Sequence, residues 1–103
     1  MNYMHELNRI AARANAAARA AERGSDVSDA AAEIYLQIVE IEEAMAATMS
    51  ARNNSRTARR RGNSPEWAVI KAVGKASDAA SAPDARGMVR AAKFLEEAAA
   101  LLK

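Results

Sequence analysis

The residues best equipped for chemistry in this chain are arginines. Arg52, Arg56, Arg59, Arg60 and Arg61 fall within residues 52–63, a stretch with no acid and no large apolar side chain. Guanidinium forks pair bidentately with phosphate, and several of them on an aromatic-free segment suit sequence-independent contacts to a nucleic-acid backbone. Lys71 and Lys75 follow closely enough to extend such a contact. Were the segment helical, Arg52, Arg56, Arg59 and Arg60 would share one face, with Arg9 and Arg13 as a supplement from the first helix. The same composition also suits a solvated loop, or one that pairs with acidic residues of its own or another chain. No helix-turn-helix spacing, zinc-finger pattern or pair of RNA-stacking aromatics accompanies it.

Little else in the sequence points to chemistry. Metal binding needs converging histidines, cysteines or carboxylates, whereas His5 is the one histidine and there is no cysteine. Glu40 and Glu43 form an E-x-x-E spacing, which resembles one half of the magnesium-binding helices of the all-alpha nucleotide pyrophosphohydrolases. The E-x-x-D expected from a second helix is missing after residue 43, so exposed carboxylates are the simpler reading. Gly74-Lys75-Ala76-Ser77 fails as a phosphate loop, because Val69 stands where the first glycine is needed and Ala76 where a hydroxyl is needed. Without a second histidine or an orienting partner, the serines make poor nucleophiles. The expectation is a protein that binds rather than catalyses, with no cofactor, no metal and no evident small-molecule substrate.

These residues must be positioned by helices. Of 103 residues, 28 are alanine, the best helix former, while glycine (4) and proline (2) are scarce enough to read as punctuation. Helices are expected over about 3–23, 26–50, 65–80 and 83–102, with a basic connector at 51–64. The first places Tyr3, Leu7, Ile10, Ala14, Ala17, Ala18 and Ala21 on one arc, with Arg9, Arg13, Arg19 and Arg23 opposite. Gly24 suits the left-handed position past its end, and Ser25 or Ser28 can cap the next helix. That helix carries Val27, Ala31, Ile34, Ile38, Ile41, Met45 and Thr48 at heptad spacing, so it reads as a central or interface helix. Pro65 and Glu66 after Ser64 form a helix start, followed by Trp67, Ile70, Val73 and Gly74 on one face. The fourth helix presents Met88, Ala91, Ala92, Leu95, Ala98, Ala99 and Leu102, with Arg86, Arg90 and Lys93 outside. The fold expected is all-α: a single-domain four-helix bundle (1–103) made of two helical hairpins joined by an arginine-rich loop.

The net charge of +2 hides a segregation: residues 26–50 carry six acids and no base, while 51–75 carry seven bases and one acid. An acidic second helix and a basic connector can attract each other within the monomer or between copies, a field effect that bears on association more than on fold. An alanine-built core buries little area per residue, which makes further burial against a second chain an expectation. Tyr35, Leu36 and Val39, on a flank of the second helix, are the candidate partner patch, the alternative being burial under the third or fourth helix of the same chain, and Trp67 is either a core anchor or an interface residue. The alternative to nucleic-acid binding is therefore a protein-interaction module (adaptor, assembly subunit or small phage-type inhibitor) acting through the second helix. A homodimer is expected under either reading. No stretch approaches the roughly 20 apolar residues of a membrane span, and arginines interrupt any leader-like core in the first thirty residues. With cysteine absent, a cytoplasmic location is expected.

Overall fold

A computed structural model describes residues 2–52 and 65–102, with side chains for 2–48 and 68–102. Four helices appear in chain order: α1 (Tyr3–Glu22), α2 (Ser28–Arg52), α3 (Pro65–Ala80) and α4 (Ala85–Leu101). They pack as a helical bundle around one shared hydrophobic core. α4 lies along both α1 and α3, and α2 closes the ring by packing on α3 and α1. The first and last helices are thus spatial neighbours. The helix that the heptad spacing marks as central, α2, is less embraced than α4.

Each helix end has a local cause. At the start of α1, the Asn2 side chain accepts a hydrogen bond from the His5 backbone N–H at 3.1 Å. Gly24 adopts φ +89° after α1, where an L side chain would be strained. Asp26, rather than either serine, organises the entry to α2: its Oδ1 accepts from the Ser28 N–H at 3.0 Å and from the Ser28 hydroxyl at 2.7 Å. Those two bonds hold the Asp26 carboxyl below its ordinary pKa. α4 starts at the N-cap Asp84, whose Oδ1 accepts from the Gly87 N–H at 2.7 Å. Ser64, the expected cap of α3, lies outside the described residues.

Burial follows the periodicities in three helices out of four. In α2 the seam from Val27 through Ala31, Ile34, Ile38 and Ile41 to Met45 is buried. Thr48, at its end, is half-buried and bonds to the Tyr3 hydroxyl at 3.1 Å, tying the start of α1 to the last turns of α2. In α1, Leu7, Ile10, Ala14, Ala17 and Ala18 are buried together with Ala11. α4 buries Met88, Ala91, Ala92, Leu95, Ala98 and Ala99, plus Gly87. In α3 the buried face is Val69, Ala72, Val73, Ala76 and Ala80, and Ile70 and Gly74 sit at its margins. A stripe counted from Trp67 is rotated away from this face, because alanines, which show no hydrophobic contrast, supply most of the true one.

Candidate binding surfaces

Two charged surfaces flank the core. The one on α3 and α4 is mixed in sign. Lys71 and Lys75 are exposed one turn apart on α3 with Asp78 beside them, and Arg86, Arg90 and Lys93 are exposed on α4 along with Glu96, Glu97 and the N-cap Asp84. Where the two helices meet, Lys75, Asp78, Ala79, Arg90 and Phe94 line an open groove of about 420 Å³. The Lys75 ammonium stands 5.9 Å from the centroid of the Phe94 ring, within reach of a weak cation–π attraction. A groove with two cations, one carboxylate and an aromatic flank can accept an anionic group and lay a flat ring against Phe94. Sequence spacing gave no hint that Arg90 and Phe94 would join Lys75, since their proximity comes from the α3–α4 turn and not from any motif.

The predicted phosphate-binding residues are only partly within view. Arg52 is the last residue of α2, and its side chain lies outside the described set. Arg56, Arg59, Arg60 and Arg61 belong to residues 53–64, also outside it. Trp67 sits in the first turn of α3, with its side chain likewise not described.

The acidic surface is α2 itself. Tyr35 is 39% exposed and Leu36 is 61% exposed, so neither is covered by α3 or α4 of the same chain; Val39 is half-buried. Tyr35 and Leu36 border an apolar groove of about 450 Å³ that continues over Ala31 and Ala32 to Ala80 and Pro83 at the α3–α4 corner. Asp29, Glu33, Glu40 and Glu43 are exposed along the same helix. Among the described residues the ion pair within 4 Å is Arg9–Glu6, at 3.4 Å, so these α2 carboxylates have no cationic partner there.

Glu42 behaves differently. Its carboxylate approaches the α3 backbone at Gly74, where an added Cβ would lie 3.1 Å from Oε2. Burial raises its pKa above the ordinary 4.5, with further contributions from Asp78 and Glu43. The folded state therefore binds this proton more tightly than the unfolded chain does. The stability tied to it is present below pH 4.5 and declines as pH rises through the raised folded value. Glu42→Gln is expected to raise the melting temperature at pH 7, with the advantage disappearing below pH 4.5; thermal melts of both proteins across that range check it.

Between α1 and α2, a smaller cleft of about 200 Å³ is lined by Glu6, Arg9, Ile10, Arg13, Gln37 and Glu40. Among the described residues no group of three or more potential metal ligands converges, and no helix is long and apolar enough to cross a membrane. Compared with known proteins, the chain matches no family model, no curated protein and no solved structure.

Proposed function

We propose that this is a non-enzymatic helical binding protein that holds nucleic-acid phosphates, without reading sequence, through its arginine-rich connector. The observation that carries the reading is the acid-free run Arg52, Arg56, Arg59, Arg60 and Arg61 leading into a helix on which Lys71 and Lys75 are both exposed. Arginine supplies the fork geometry for phosphate, and the lysines supply point charges beside it. The Lys75–Arg90–Phe94 groove supports the same chemistry, since single-stranded nucleic acid is commonly held by cations along the backbone and an aromatic face for a base.

Salt titration tests this directly. Affinity for a generic duplex or single strand should fall with a log–log slope on the order of −4 if four to five phosphates are neutralised. Changing all five connector arginines to alanine should abolish most of that slope and most of the affinity. Lys75→Ala with Arg90→Ala should weaken binding less, lowering the slope by roughly 1 to 2. Salt-independent binding, or binding unchanged in the five-arginine variant, would refute the reading.

A second reading has its own observation. The exposure of Tyr35 and Leu36 beside an apolar groove favours a protein-interaction module that works through α2, as a homodimer or with another protein.

A further inference from the structure

The solvent side of α2 has an internal order that bears on its occupant. At 3.6 residues per turn, Leu36 points about 180° away from the buried Ile34–Ile38–Ile41–Met45 seam. Asp29 and Glu33 precede it by 7 and 3 residues, and Glu40 and Glu43 follow it by 4 and 7. All four are exposed, and the 24 residues from Ser28 to Ala51 hold no base. The strip is a single bulky apolar knob at the centre of an acidic ladder.

The outer face of α1 is built to the same period with the signs reversed. Ala16 is exposed, with Arg13 and Arg19 at 3 residues on either side and Arg9 and Arg23 at 7. Ala12 and Ala20 lie one turn before and after it, so the middle of the face is made of methyl groups and lets another helix approach closely. Both ladders span 14 residues, about 21 Å of helix. Within one chain Arg9, Arg13 and Glu40 line the same α1–α2 cleft without pairing directly: Arg9 meets Glu6 of its own helix, and no α1 arginine lies within 4 Å of an α2 carboxylate among the described residues.

We infer that α2 docks on α1 of a second copy of this chain, with Leu36 seated over Ala12, Ala16 and Ala20 and the two charge ladders facing each other. The inference rests on the reading of α2 as a protein-binding helix and names its partner. Because α1 and α2 are neighbours in the bundle, a two-fold axis lets each copy offer both strips at once, and assembly closes at a dimer. The apolar knob supplies the desolvated centre and the ladders supply register and discrimination, the usual division of labour at an interface.

Charge reversal followed by mixing provides the test. One variant carries Glu33→Arg and Glu40→Arg, which sets bases against bases at the inner rungs of the two strips; the other carries Arg13→Glu and Arg19→Glu, which sets acids against acids there. All four positions are exposed, so circular dichroism should show unchanged helicity. Sedimentation of nuclease-treated protein at about 0.1 M salt, where the screening length is about 10 Å, should show a wild-type dimer. Each variant alone should dissociate at least tenfold more readily, and a one-to-one mixture should restore a dimer containing one of each. A wild-type chain that stays monomeric overturns the inference, as does a dimer indifferent to the reversals or a mixture that fails to associate. Leu36→Asp separates this from the broader reading. If it dissociates the dimer while the reversals do not, α2 remains the protein-binding helix but its partner is not α1. A dimer that survives Leu36→Asp as well forms without the α2 face.

Discussion

Replacing Gly87 by alanine is expected to destabilise the protein by about 1–3 kcal/mol, although glycine to alanine in a helix interior ordinarily gains up to about 1 kcal/mol. The reversal comes from the α3–α4 corner. A Cβ on residue 87 would lie 2.3 Å from the Ala82 carbonyl oxygen and 2.9 Å from the Ala79 carbonyl oxygen. Both obstacles are backbone, so no side-chain rotation can relieve them. Either α4 must shift outward or the turn over Ser81–Asp84 must open, and a shift in that turn also threatens the bond from the Gly87 N–H to Asp84 Oδ1. For a domain of this size the loss corresponds to a melting temperature lower by roughly 5–20 °C. Gly24→Ala is a useful comparison: nothing lies within 4 Å of its added Cβ, so any cost there comes from the left-handed backbone alone. A Gly87→Ala protein as stable as the parent would mean that the corner is looser than described.

The second large effect concerns the alanines of the core. Ala14 has 0% exposure, and α1 makes its most extensive contact with α4, which buries Ala91, Ala92, Ala98 and Ala99. Helices that meet through methyl groups lie close together, with no space for a longer side chain. Ala14→Leu is therefore expected to cost about 1–3 kcal/mol through overpacking, even though leucine is more hydrophobic and nearly as good a helix former. Ala100, exposed on α4, provides the control: Ala100→Leu should change stability by no more than about 0.5 kcal/mol. Chemical denaturation of the two variants distinguishes a close-packed α1–α4 seam from one with slack. Equal behaviour of both would contradict the packing described.

These two sites also mark the boundary of what the chain reveals without its fold. Heptad spacing in α2 singled out Val27, Ala31, Ile34, Ile38, Ile41 and Met45, and all six are buried, because isoleucines standing among glutamates make a high-contrast pattern. The inner face of α4 was legible for a similar reason, with Met88 and Leu95 set against Arg86, Arg90 and Lys93. In α3 the pattern misleads. Ala72, Ala76 and Ala80 are interior, yet an alanine is at home on either side of a helix, so only packing reveals which face turned inward.

The candidate surfaces divide in the same way. The acid-free arginine run and the second apolar flank at Tyr35, Leu36 and Val39 can be found from composition and periodicity, since each is a local property of one segment. The company those residues keep cannot be. Arg90 and Phe94 lie beside Lys75 because α3 and α4 fold back on each other, and the Glu42 carboxylate nears Gly74 because α2 packs on α3.

The sequence by itself determined the helices, their punctuation at Gly24, Pro65 and Pro83, and the separation of acidic from basic blocks, because those depend on interactions within a few turns. Only the tertiary structure decided that α1 lies against α4, that Gly87 must stay glycine, and that Leu36 is left facing solvent. Such features depend on which faces meet across the bundle, and alanine-rich helices carry too little side-chain contrast to announce that in advance.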